Sequence, residues 1–318
     1  MNSNIKTTFS CTVVIPTKNG GTLFEHAIES LKKQSTWART EFIVIDSGST
    51  DHTVAVARAA GAKVIEIPPG EFNHGATRDL GISLATSEFV VLMVQDAVAD
   101  SPSMLETMLQ QFSDQEVAGV YARQIPQLEA DILTKRNLNN WLTGRMDREI
   151  RKMKSIEWYE SLPAMEKYFF CNFDNVCSAI RKTAWQEQKF GVIGFGEDID
   201  WAERVLKTGH KIVYEPAAAV VHSHDRPMSY EYKRTYVCHR KLYQQFKLHL
   251  VPSFNGIFRS WLYSTMQDAK YISAQQASIF TKLALWIKVP ILNFLSAIAQ
   301  YRAARDESVG YMRKIEGV

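Results

Sequence analysis

Four stretches of this sequence set polar, chemically useful side chains against apolar runs: EFIVIDSGSTD (41–51), VVLMVQDAVAD (90–100), GEDIDWAERV (196–205) and VVHSHD (220–225). Carboxylates such as Asp96 are oxygen ligands for hard divalent cations. His222 and His224, spaced two apart on an expected strand, share a face, and either can complete a metal shell. A carboxylate such as Asp198 can also act as a general base. Plainer explanations compete with each of these. An Asp shortly before Ser101-Pro102 is ordinary turn punctuation. Glu197, Asp198 and Asp200 at the start of a helix are favoured by its dipole, and for Asp200 that explanation suffices.

What decides between these readings is the set of elements that must position the residues. CTVVIPT (11–17) is a β-branched run ending in a Lys-Asn-Gly-Gly loop, and FEHAIESLKKQ has helical spacing at Phe24, Ile28 and Leu31. A second strand covers Phe42 to Ile45, a helix over TVAVARAAG stops at Gly61, and AKVIEI and FVVLMV give two further strands. Strand and helix in this alternation predict an α/β, doubly wound, mostly parallel sheet. Ligands of such sheets collect beyond the carboxyl ends of the strands. Thr17, Asp46 and Asp96 each fall just past a predicted strand end, so the fold would carry all three to one rim.

The chain has 318 residues, 46% hydrophobic and 22% charged, with a formal net charge of +3. That is enough for one large domain with an appendage, and too little charge to make nucleic acid the main partner. Arg148, Arg151, Lys152 and Lys154 read as a solvated helix face. Cys11, Cys171, Cys177 and Cys238 lack CxxC spacing, which predicts buried free thiols in a reducing compartment. MNSNIKTTFS holds no apolar run long enough for a signal peptide, so the expected location is the cytoplasm. Residues 121–170 read as an acceptor-facing insertion or a helical excursion packed on the sheet. From 226 onward the pattern is helical. Within it, SIFTKLALWIKVPILNFLSAIAQYRAAR (278–305) is interrupted by Lys282, Lys288 and Pro290. It suits an interfacial amphipathic segment at the inner face of the cytoplasmic membrane, or an amphipathic pair packed on the domain or on a second copy.

In order and spacing, VVIPTKN, FIVIDSGSTD, FNHGATRDLG, VQDA, GFGEDIDWAERVLKTGHK and VVHSHD resemble the inverting family-two glycosyltransferases of GT-A fold. More narrowly, FNHGATR followed by QDA and HSH resembles bacterial rhamnosyltransferases that use dTDP-L-rhamnose. The resemblance covers about residues 10–226. It implies a GT-A catalytic domain over 1–225, with a nucleotide-sugar half at about 10–100 and an acceptor half at about 101–225. Residues 226–318 would then form a helical C-terminal region for membrane or oligomer contact.

The resemblance also implies roles. Asp96 and His222 would hold Mg²⁺ or Mn²⁺ against the departing diphosphate, with Gln95 standing where the general pattern has an acid. Asp198 would take the acceptor's proton, and Glu197 would hold the acceptor or orient that base. Thr17, Asp46, Arg78, His74 and Gln95 would seat the donor, with Asp46 accepting the base's N3–H. Arg78 would pair with diphosphate oxygens or, more plainly, with Asp79, itself a departure from the Asn usual after that Arg. Gly75 would permit a close backbone approach. The implied activity is transfer of L-rhamnose to a surface polysaccharide or lipid-linked glycan. A UDP-hexose or UDP-N-acetylhexosamine transferase, or a non-catalytic nucleotide-sugar or glycan binder, remains the alternative. KNGGTL lacks the GxGxxG of a dehydrogenase, and PTKNGG is a poor match to the basic glycine-rich loop of a nucleotidyltransferase.

Overall fold

The computed structural model describes residues 9–311. The outer ends of both expected domains, and most of the stretch read for a signal peptide, lie outside the described residues. Nine strands form one sheet: β1 (Cys11–Thr17), β2 (Thr40–Asp46), β3 (Lys63–Glu66), β4 (Phe89–Met93), β5 (Val98–Ala99), β6 (Val117–Ile125), β7 (Glu149–Lys152), β8 (Cys177–Arg181) and β9 (Lys211–Val221). The helices are α1 (Gly21–Lys32), α2 (Thr53–Ala59), α3 (His74–Leu84), α4 (Met104–Gln110), α5 (Ile132–Asn139), α6 (Ile156–Ser161), α7 (Ala164–Phe170), α8 (Lys182–Glu187), α9 (Glu197–Lys207), α10 (Met228–Phe246), α11 (Phe254–Ala274) and α12 (Ile279–Ser308). The chain divides into two compact units. One holds the residues up to Glu129, Lys135–Leu162 and Phe169–Ser223; the other holds Ala130–Thr134, Pro163–Tyr168 and His224 onward.

In the first unit the strand order is β3-β2-β1-β4-β8-β6-β9-β5, with β7 also on β9. The β3-β2-β1-β4 part is parallel throughout. Its strands are nearly continuous apolar runs because the sheet is covered on both faces. Val13, Val14 and Ile15 of β1 and Val90, Val91 and Leu92 of β4 are fully buried, and Phe24, Ile28 and Leu31 of α1 pack into one core with Val13, Ile15 and Val91. Each such side chain contributes about 1.5–3 kcal/mol on burial. The chain runs outward from β1 to β3 and then returns to place β4 on the other side of β1. The β1–β4 boundary is thus a switch point of the kind where doubly wound sheets bind ligands.

Beyond β4 the direction reverses. β8 runs antiparallel to β4 and β6, with Met93 opposite Cys177 and Tyr121 opposite Ser178, while β9 is parallel to β6, with Ile125 opposite Val221. The amino end of β8 therefore shares the rim with the carboxyl ends of β1, β2, β4, β6 and β9.

Several expectations shift. Thr17 and Asp46 are the last residues of β1 and β2, paired in register, rather than lying past them. His222 and His224 follow the end of β9 instead of sitting on it. FNHGATR, given no element of its own above, leads into α3, with the Asn73 side chain accepting the Ala76 N–H as an N-cap. The basic run at 148–154 spans β7, an edge strand, and is not a helix face. Arg151 is buried under the Tyr121 hydroxyl, and Arg148 and Lys152 pair with Glu215 and Glu116. The cysteines are free thiols, three of them buried.

In the second unit α10, α11 and α12 pack together through Tyr236 with Ala299 and Ala303, and through Val251 and Ile257 with Ala297. The segment read as an interfacial amphipathic segment or an amphipathic pair is one helix, α12, which continues through Pro290. By length and composition alone α12 is sufficient to cross a membrane. Phe254, Phe258, Leu262 and Met266 recur every four residues along α11 and are exposed. Phe280, Leu283, Ile287, Ile291 and Phe294 form a second exposed row on α12. Trp261 makes edge contacts with both Phe258 and Phe294, which joins the two rows.

Candidate active site

At the switch point, Gln95 spans the gap between the loops after β1 and β4. Its Oε1 accepts the Lys18 N–H at 2.9 Å and its Nε2 donates to the Lys18 carbonyl at 3.3 Å. A carboxylate there could make only the first of these bonds, which accounts for an amide where the wider pattern has an acid. Next to it, Thr17 and Asp46 are both buried. Asp46 Oδ1 accepts from the Thr17 and Ser49 hydroxyls, and Oδ2 from the Gly48 and Ser49 N–H groups. With four donors on its two oxygens, Asp46 organises the turn after β2. It can take another donor only by releasing one of those two rotatable hydroxyls.

The acidic motif is held by a contact between the first turn of α3 and the loop before α9. Gly75 donates its N–H to the Ile193 carbonyl, and a Cβ on it would sit 2.2 Å from the Gly191 carbonyl oxygen, so no other residue fits without moving backbone. This is the close approach expected of Gly75. Gly196, at φ +71, then turns the chain into α9. The result lays α3 against the first turn of α9, and Arg78 meets Glu197 at 2.9 Å with both side chains 5% exposed. Asp79 is not the partner of Arg78: it accepts from Trp185 Nε1 and from the Phe190 and Gly191 N–H groups. Arg78 also donates to the His74 carbonyl, while its Nε is buried without a hydrogen-bond partner among the described residues.

Two residues that sequence reasoning missed complete this cluster. Asn175 donates Nδ2 to Glu197 Oε1 at 3.1 Å and its backbone N–H to Asp198 Oδ2 at 3.4 Å, and is itself held by Ser178. Asp174 accepts the Val176 N–H and the Gln124 amide nitrogen, the latter at 2.6 Å. Their one signal is an Asp-Asn pair directly before the apolar run VCSAI. That signal counts only once β8 is known to be reversed.

The electrostatics of adjacent Glu197 and Asp198 diverge. Burial opposes ionisation of Glu197, but Arg78, then His74 and Asn175, outweigh it and hold its pKa below the usual range. Burial, then the charges of Glu197 and Asp174, push the Asp198 pKa up to about 8. Burial lowers the pKa of His74, with the charge of Glu197 opposing that shift and Arg78 adding to it. Asp200, in the first turn of α9, pairs with Arg204 one turn further on.

The third cluster lies past β4 and β9. His222 Nε2 is 3.6 Å from Asp96 Oδ1, both side chains are about 15% exposed (15% and 16%), and His222 Nδ1 is 3.0 Å from Gln124 Oε1. One carboxylate oxygen and one imidazole nitrogen at this separation are a donor set that fits a divalent cation.

Comparison with known proteins places this arrangement. The model of glycosyl transferase family 2 matches residues 12–185. The O-antigen chain rhamnosyltransferase WbaN of Salmonella anatum is 31% identical over 235 residues, covering 71% of this chain and 70% of that protein. The O-antigen chain rhamnosyltransferase RfbN of Salmonella typhimurium is 29% identical over 70% of this chain and 69% of its own. Among solved structures, the mannosyltransferase PcManGT from Pyrobaculum calidifontis, in complex with GDP-Man and Mn²⁺, superposes with a TM-score of 0.61 at 16% identity, covering 94% of this chain and 86% of that one. Glucosyl-3-phosphoglycerate synthase from Mycobacterium tuberculosis, with Mn²⁺, UDP-glucose and glycerol 3-phosphate, gives 0.53 at 17% identity over 76% of this chain and 81% of that one. The switch-point sheet, its reversed β8 and the match over more than half of the sequence agree, and the chain belongs to glycosyl transferase family 2: it is a glycosyltransferase of GT-A fold.

Proposed function

We propose that this glycosyltransferase moves L-rhamnose from dTDP-L-rhamnose, with inversion, onto a hydroxyl of a bacterial surface polysaccharide or lipid-linked glycan. The observation that carries the mechanism is the opposite displacement of two neighbouring carboxylates, a pattern that separates a base from its charged support. Asp198, with a proton affinity near working pH, accepts the proton of the acceptor hydroxyl as that oxygen attacks C1 from the face opposite the diphosphate. Glu197, kept ionised by Arg78, does not compete for that proton; it orients the first turn of α9 and raises the basicity of Asp198. In this reading Arg78 serves Glu197 rather than the diphosphate. Thr17, Asp46, His74 and Gln95 line the donor side, and Asp46 takes the base's N3–H in exchange for a hydroxyl. Asp96 and His222 would hold Mg²⁺ or Mn²⁺, which when bound offsets the charge of the departing diphosphate.

The rhamnose assignment is supported by the likeness to the two O-antigen rhamnosyltransferases. We assign the nucleotide-sugar and acceptor halves to about 10–100 and 101–225, in the cytoplasm, and the region from 226 to the inner face of the cytoplasmic membrane. The exposed rows on α11 and α12, with Arg259, Lys270 and Lys282 and no acid between residues 279 and 304, suit an anionic interface. Flotation with anionic vesicles is expected, and its persistence in F258S/I287S would remove that assignment. For the donor, calorimetric titration with dTDP-L-rhamnose, UDP-glucose and UDP-N-acetylglucosamine, with and without Mn²⁺, is the direct experiment. Tight binding of the first alone is expected, and preference for either UDP-sugar overturns the rhamnose assignment.

A further inference from the structure

We propose that Gln124 and Asp174 form a positioning pair that sets which ring nitrogen of His222 faces Asp96, and thereby makes the two side chains a cation site. The inference rests on the reading above that Asp96 and His222 hold the divalent ion. No feature of the sequence motifs names either residue.

The argument follows the hydrogen-bond donors. Asp174, just before β8, has a carboxylate that accepts the Val176 N–H at 2.8 Å through Oδ1 and the Gln124 side chain at 2.6 Å through Oδ2. Since a carboxylate only accepts, the Gln124 group facing it is the amide nitrogen. The amide oxygen of Gln124 is then the atom 3.0 Å from His222 Nδ1. An oxygen acceptor at that distance requires the ring proton on Nδ1, and a neutral imidazole with its proton there presents Nε2 as an acceptor. That nitrogen faces Asp96 Oδ1 at 3.6 Å. Two acceptors are thus aimed at one another across a gap suited to ligand bonds of about 2.0–2.2 Å. Without the Asp174–Gln124 order the amide could turn over, the proton could move to Nε2, and Asp96 and His222 would simply hydrogen-bond to each other.

The support is rigid as well as ordered. Gln124 is 8% exposed, lies in the strand that pairs with β9 next to Val220, and bonds its own N–H to the Thr143 carbonyl. His222 continues that pairing by donating its N–H to the Ile125 carbonyl. Residues that orient a metal-binding histidine in this way change metal affinity by about 10- to 100-fold when lost.

The test is Mn²⁺ binding to the full chain without nucleotide, read as free Mn²⁺ by electron paramagnetic resonance, with melting temperature measured in parallel. D96A and H222A are expected to abolish binding. Q124M and D174A are expected to weaken it by about 10- to 100-fold. D174N keeps an acceptor oxygen for the Gln124 amide and is expected to lose less than D174A. If Q124M and D174N both bind Mn²⁺ like the unaltered protein while D96A and H222A do not, the positioning role is wrong and the metal reading stands. If D96A and H222A bind normally, the metal reading itself fails. A loss in D174N as large as in D96A overturns the proposal differently, by making Asp174 a ligand. Should D174A melt below the assay temperature, the Q124M and D174N results decide.

Discussion

The junction of α3 with α9 and the far ends of β4 and β9 each bring a carboxylate to a nitrogenous side chain, and they do so to opposite effect. At the junction Glu197 and Arg78 are in hydrogen-bond contact, buried, and further tied by Asn175. Opposite charges cancel there, and the pair fixes a protonation state. At the strand ends Asp96 and His222 stand 3.6 Å apart, with a glutamine holding the outer ring nitrogen. On the proposed reading the first arrangement supports a base beside it, and the second sets two ligand atoms where a cation would be received.

Three experiments can break or sharpen that contrast, in decreasing size of effect, and a fourth reads it through pH. The largest is expected for R78M, which strands Glu197 as a buried charge and should cost about 3–5 kcal/mol in urea unfolding. D96A should cost far less, and equal losses would erase the distinction. Next, D198N should lower turnover by about 10²- to 10⁴-fold with donor affinity kept, since the junction exists to serve that base. Full turnover in D198N would put the base elsewhere. Third, Mn²⁺ at about 100 times its Kd should raise stability by about 2.7 kcal/mol in the unaltered protein and not in D96A, measured by thermal shift.

The fourth experiment follows stability against pH. Asp198 has an ordinary pKa of 3.8 and about 8 in the fold, so the folded state holds a proton that the unfolded state has released across that window. The stability this contributes is fully present below about 4 and is lost as pH rises through about 8. The unaltered protein should therefore lose melting temperature relative to D198N between those limits, while its kcat/KM rises and levels above about 8. A flat difference between the two melting curves would mean that Asp198 is not held protonated.

Much of the first half was legible in the sequence because parallel strands buried on both faces leave continuous apolar runs with their chemistry at the carboxyl ends. Thr17, Asp46 and Asp96 were found that way, with errors of only a few residues at strand ends. Asp174 and Asn175 were not found, because β8 runs backwards and offers its amino end to the rim; Gln124 fell in the stretch read as an insertion or excursion, where no strand was expected. No periodicity reports strand direction. The basic run at 148–154 was misplaced for a related reason. Arg151 is buried by Tyr121, a partner 30 residues away, and charge alone suggests solvent. Arg78 was read as facing a ligand because the sequence cannot show that Gly75 lets α3 approach the acidic loop.

The Gln95 clamp has a consequence for how the molecule breathes. Lys18 lies in a loop, beyond the last residue of β1, where backbone amides ordinarily exchange their hydrogens with solvent quickly. Because Gln95 closes both the N–H and the carbonyl of Lys18, one side chain extends the sheet by a residue across the boundary between β1 and β4. The amide of Lys18 should then open only when β1 and β4 part. It becomes a single-residue reporter of the slowest opening of the crevice between β1 and β4, with a deuterium uptake grouped with the core strands and not with its own loop.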